Sequence, residues 1–99
     1  MPFEHATPTE ARIAKRLVVA ALARDWSVSV NDGEEIVVSK STEKADIFEG
    51  MNSTDADVLI FHAKDGERIG WVQLIWGNDE DLISDASDNE DLDSLLEGF

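Results

Sequence analysis

The chain predicts an α+β fold, an antiparallel sheet of about four strands with helices on one face. Three observations predict it. A helix-period apolar stripe opens the chain, two pairs of strand-like runs are each joined by a Gly-containing turn, and a further helical pattern follows each pair. The predicted order is therefore helix, hairpin, helix, hairpin, helix.

Met1 to Ala6 carries no periodic pattern and reads as a loose terminus. Thr7-Pro8-Thr9-Glu10 is a helix start: Thr7 can cap, Pro8 suits the first helical position, and Glu10 can reach back to the cap amide. Ala14, Leu17, Val18, Ala21 and Leu22 then recur at helical spacing, which predicts a helix from Pro8 to about Arg24. Trp26 to Val30 alternates strictly and reads as a half-buried strand. Asn31-Asp32-Gly33-Glu34 has turn chemistry, with Gly33 able to take positive φ, and Ile36 to Ser39 is the returning strand. Ser41-Thr42-Glu43 offers capping groups for a short helix carrying Ile47, Phe48 and Met51 and ending near Gly50. Asn52 to Asp55 is a loop. Val58 to Phe61 and Ile69 to Trp76 are rich in β-branched and aromatic residues, and Lys64-Asp65-Gly66-Glu67 joins them as a second hairpin. Their apolar runs are nearly continuous, which places them in the middle of the sheet, buried in part on both faces. Leu82-Ile83 is an apolar anchor in an acidic loop. Asp88 or Asn89 can cap a last helix with Leu92, Leu95, Leu96 and Phe99 on one side.

Ninety-nine residues suit one domain, spanning 1–99, and a hydrophobic share of 42% supports a folded core. No apolar run reaches the roughly 20 residues a bilayer needs. Met1 to Glu10 lacks a basic start followed by an apolar stretch, so no leader is expected, and a cytoplasmic location in a bacterial host cell is the working expectation. The absence of cysteine excludes disulfides, thiolate zinc sites and cysteine nucleophiles.

Charge is the most informative property. Residues 1–24 hold four basic and two acidic side chains, residues 25–77 four and eleven, and residues 78–99 none and nine, for a net charge of −14. Such a field repels nucleic acid and anionic membranes and attracts basic surfaces, so neither nucleic acid nor membrane is expected as a direct partner. Arg12, Lys15, Arg16 and Arg24 give the first helix a basic side, which is expected to pair with acidic residues of the same chain.

Catalytic motifs are missing. There is no G-x-S-x-G, no phosphate-cradling glycine loop and no H-E-x-x-H, so the chain is not expected to be an enzyme and no cofactor is expected. A calcium loop starting at Asp85 fails, because Glu90 stands where Gly is needed and Leu96 where a bidentate Glu is needed. His5 and His62 lie in no ligand pattern, so no metal is expected.

The candidate site is a partner-binding surface. Asp79, Glu80, Asp81, Asp85, Asp88, Glu90, Asp91 and Asp93 crowd the last fifth of the chain, interrupted by leucines that can dock while the carboxylates face outward. Held on a rigid frame, such carboxylates imitate phosphate rows and fit a groove lined with Lys and Arg. The hairpin turn adds Asp32, Glu34 and Glu35, and the segment Asp55–Asp57 adds further carboxylates. Trp71 shares a strand face with Gln73, opposite Val72, Leu74 and Trp76. Exposed, it would anchor a contact; covered by the acidic C-terminal segment, it would be core.

The run Ser29-Val30-Asn31-Asp32-Gly33-Glu34-Glu35-Ile36-Val37-Val38, with Ser41-Thr42-Glu43 and Ser53-Thr54-Asp55 after it, resembles small acidic proteins of tailed bacteriophages and prophages. So does Gly70-Trp71-Val72-Gln73-Leu74-Ile75-Trp76-Gly77-Asn78, followed by Ile83-Ser84-Asp85. The similarity covers about residues 10–97. It implies a phage-type protein acting on host machinery and carries no site residues with it. Together these readings point to binding, with inhibition by occupancy, of a basic nucleic-acid-binding host protein. The alternative is a structural or assembly protein that forms a homo-oligomer through a sheet edge or Trp71.

Overall fold

The computed structural model describes residues 6–52 and 54–97. The expectations for Met1 to His5, for Ser53 and for Phe99 lie outside that range. Helix α1 (Pro8–Ala23) is followed by strands β1 (Ser27–Asn31) and β2 (Ile36–Ser41), helix α2 (Lys44–Gly50), strands β3 (Ala56–His62) and β4 (Arg68–Ile75), a 3-10 turn (Asp79–Asp81), strand β5 (Ile83–Ala86) and helix α3 (Glu90–Leu96). Among the described residues the strands make one antiparallel sheet in the order β2-β1-β3-β4-β5.

The sheet thus has five strands rather than about four. The extra one is β5, built from the segment expected to be an acidic loop. Leu82 is buried as anticipated, but Ile83 to Ala86 pair with β4, opposing Leu74, Gln73 and Val72. Four residues with two polar side chains show no period-2 signal, so only the unpaired edge of β4 determines that they extend.

Thr7 caps α1 in a full capping box: its hydroxyl accepts from Glu10 N–H, and Glu10 accepts from Thr7 N–H. Helix α2 is capped differently from expectation. Glu43 occupies the cap position without a side-chain bond, and the Ser41 hydroxyl accepts from Glu43 N–H instead. At α3 the Asn89 side chain accepts from both Asp91 and Leu92 N–H.

β3 and β4 lie inside the sheet as expected and are buried in part on both faces, with buried side chains on one face alternating with mostly half-buried ones on the other. One sheet face carries Val28, Val30, Leu59, Phe61, Val72 and Leu74. With Ala14, Leu17, Val18 and Ala21 of α1, Ile47 of α2, and Leu92 and Leu95 of α3, it forms a single core. Trp26 closes one end of it, its ring 5.9 Å from that of Phe61. Helix α3 comes close to β4 at Gly70, where a Cβ would collide with the Ser87 hydroxyl and press on Leu92. Among the described residues the other sheet face carries no helix, and it bears Val58, Ile60, Trp71 and Gln73 side by side across β3 and β4.

Candidate functional site

Strand register sorts the candidate carboxylates by position. At one end of the sheet Asn31 opposes Val58, Val58 opposes Gln73, and Ala56 opposes Ile75. The β1–β2 turn with Asp32, Glu34 and Glu35, the start of β3 with Asp55, and the 3-10 turn with Asp79, Glu80 and Asp81 therefore all lie at this end. Three stretches far apart in sequence converge there. At the opposite end Ser27 and Arg68 each oppose His62, and Val28 opposes Ser41. Five of the eight basic residues belong to that end: Arg24, Lys40, Lys44, Lys64 and Arg68. The eight residues of β4 span about 26 Å between the ends. That exceeds the ~8 Å screening length at physiological salt, so the acidic end acts as a separate electrostatic feature.

Backbone bonds hold the acidic end in shape. Asn31 accepts from Gly33 N–H, and Asp32 accepts from the N–H groups of Glu34 and Glu35 at 2.9 and 3.0 Å, with Gly33 at φ 102°. Those bonds hold the Asp32 carboxyl below its ordinary value. The Thr54 hydroxyl donates to the Asp32 carbonyl, joining the turn to the start of β3. Glu10 does the same for the 3-10 turn. It is fully buried, and its Oε2 accepts from Gly77, Asn78 and Asp79 N–H at 2.7, 3.0 and 3.1 Å. Burial alone would raise its pKa, but these bonds and the one from Thr7 outweigh it and hold the carboxyl below its ordinary value. The Thr7 hydroxyl donates to Asp79 at 2.8 Å.

Not every expected residue joins this surface. Asp57, expected among the outward carboxylates, is fully buried. Its Oδ2 accepts from Asn52 N–H and Trp76 Nε1–H, both at 2.7 Å, because its strand position faces the core. Burial pushes its carboxyl up, against the pull of those two bonds. Asp85 is exposed halfway along the sheet edge, opposite Gln73. Asp88, Glu90, Asp91 and Asp93 are exposed too, but β5 carries the chain away from the acidic end before α3 begins. The start of α3 lies near the end of α1, where the Arg24 guanidinium donates to the Asp91 carbonyl. The last fifth of the chain therefore supplies two separate groups of carboxylates rather than one ridge.

Trp71 is half-buried on the helix-free face, where it lines a shallow depression of about 530 Å³ with Asn31, Gly33, Val58, Ile60, Arg68 and Gln73. Helix α3 packs on the opposite face, so it does not cover the Trp71 ring. The structure thus places Trp71 in mid-sheet opposite Ile60, in a depression that reaches Asn31 and Gly33 of the β1–β2 turn. At the far end of this face His62 lies 3.5 Å from the Ser29 hydroxyl, and burial together with Lys40 and Arg68 holds its imidazole below the ordinary value.

Sequence reasoning missed the second role of Glu10, whose capping-box signature is local while its other partners lie 67 to 69 residues on. Among the described residues no group of three His, Cys, Asp or Glu side chains is placed to hold a metal ion. No described helix is long and apolar enough to cross a membrane. Comparison with known proteins finds no matching family model, no matching curated protein and no matching solved structure.

Proposed function

We propose that this protein works by binding rather than catalysis, and that its acidic end occupies the groove of a basic, nucleic-acid-binding protein of a bacterial host. The observation that carries this is the convergence of Asp32, Glu34, Glu35, Asp55, Asp79, Glu80 and Asp81, from three chain segments, on one backbone-braced end of the sheet. A braced array keeps its charges together without ordering them at the moment of binding, which favours fast, salt-sensitive association. Trp71, in the depression that reaches Gly33 of that turn, supplies an apolar contact where charge alone gives little residence time. The resemblance to small acidic phage proteins supports a host target in the cytoplasm.

The test is affinity capture from a bacterial lysate at low and at high salt. A variant carrying Glu34→Lys, Glu80→Lys and Asp81→Lys serves as control. Nucleic-acid-binding proteins retained at low salt, released by duplex DNA and lost with the variant, are the expected outcome. Retention of the same proteins by the charge-reversed variant would refute the reading. The alternative, assembly of identical copies through a sheet edge, would bring two chains of net charge −14 into register.

A further inference from the structure

The two edges of the sheet are protected unequally. Strand β5 is short, bears the exposed Asp85, and continues into α3. Strand β2 is a six-residue outer strand with no strand paired on its far side among the described residues. It also exposes apolar side chains: Ile36 is 48% and Val37 41% accessible, two of the largest apolar exposures among the described residues. An outer strand of this kind presents a row of backbone N–H and C=O groups to any extended chain that reaches it.

Beside that edge runs a groove of about 630 Å³, lined by Val37, Val38, Ser39 and Ser41 of β2 and by Asp46, Glu49 and Gly50 of α2. Its depth depends on Gly50, where a Cβ would collide with the Val38 side chain, so the end of α2 lies directly against the strand. One wall is thus the strand edge, with Val37 and Val38 beside Ser39 and Ser41, and the other carries two exposed carboxylates.

The geometry points to a second binding site here, for an extended cationic peptide segment that adds as a sixth strand to β2. Its backbone pairs with the Ile36–Ser41 edge, its apolar side chains cover Ile36 and Val37, and its Lys or Arg side chains meet Asp46 and Glu49. Strand addition takes affinity from main-chain bonds and specificity from alternate side chains, and the groove offers both. The six residues of β2 match a segment about 20 Å long. Charge selects the occupant. A second copy would bring its own Asp46, Glu49 and net −14 against the same carboxylates, whereas a cationic segment neutralises them. The register of β2 on β1 shifts between Val28 and Val30, near Lys40 at φ 45°, and again between Val30 and Asn31. Asp46 and Glu49 lie outside the acidic end, while Ile36 directly follows Glu35 of its β1–β2 turn.

The probe is a synthetic peptide of alternating valine and lysine, with a control N-methylated at every backbone nitrogen so that neither of its edges can donate to β2. Binding is followed by amide NMR. The expected result is saturable binding of the probe with slowed exchange of β2 amides, no binding of the control, and roughly tenfold or greater weakening in an Asp46→Lys/Glu49→Lys variant. Reversal of Glu80 and Asp81 to lysine should leave the β2 response in place, which separates this site from the acidic end. Equal binding of the N-methylated peptide would overturn the proposal. So would protection of β2 by a concentration-dependent dimer without peptide, or shifts confined to the 3-10 turn.

Discussion

Two buried carboxyl groups hold opposite electrostatic positions. Glu10 titrates below its ordinary value of 4.5, so its contribution to stability is present above that value and is lost as pH falls through the folded value. Asp57 titrates above its ordinary value of 3.8, so its contribution is present below that value and is lost as pH rises through the folded one. Urea unfolding across pH 3 to 7 should separate them. Wild type should lose its advantage over Glu10→Gln on acidification, and should lose ground to Asp57→Asn as pH rises. Replacing Glu10 by Ala strands four backbone donors and should cost about 2–4 kcal/mol, read from the urea midpoint. Trp76→Phe removes the indole donor to Asp57 and should cost about 1–3 kcal/mol. The capping half of Glu10 was legible in Thr7-Pro8-Thr9-Glu10, because capping is local. The burial of Asp57 was not, because a carboxylate beside a loop reads as solvated until strand register turns it inward.

The elements with their own period were readable. Helix α1 and the two hairpins follow from residue spacing, turn chemistry and a capping box, all short-range signals. Strand β5 and the cap of α2 were not, because each is decided by a neighbour: the open edge of β4 in one case, the end of β2 in the other. That dependence predicts how β5 and α3 fail. The Ser87 hydroxyl accepts from Trp71 N–H, and Ser87 N–H donates to the Trp71 carbonyl, so this residue fastens the end of β5 to β4. Helix α3 covers the same strand through Leu92. Leu92→Ala should cost about 2–5 kcal/mol, and thermal unfolding monitored by tryptophan fluorescence should report it. Gly70→Ala should also destabilise, since the added methyl meets both Ser87 and Leu92.

Across the molecule, total charge was plain in the sequence, but its distribution was not. The acidic C-terminal stretch suggested one ridge, whereas β5 divides it and register gathers Asp32, Glu34 and Glu35 with Asp79, Glu80 and Asp81 instead. Pairing partners decide that grouping, and they are set by tertiary structure. Seven carboxylates crowded at one end repel one another, so the fold itself should respond to screening. Raising ionic strength from 0.01 M to 0.15 M shortens the screening length from about 30 to about 8 Å and should raise the melting temperature. The single change Glu80→Lys should raise it at low salt and have little effect at high salt. The Glu10 carboxylate has a last consequence, for the order of events during synthesis. It clasps amides that the ribosome adds 67 to 69 residues later, so these bonds can form only after the fourth strand has been made. Only then can Asp32, Glu34 and Glu35 share one end of the sheet with Asp79, Glu80 and Asp81.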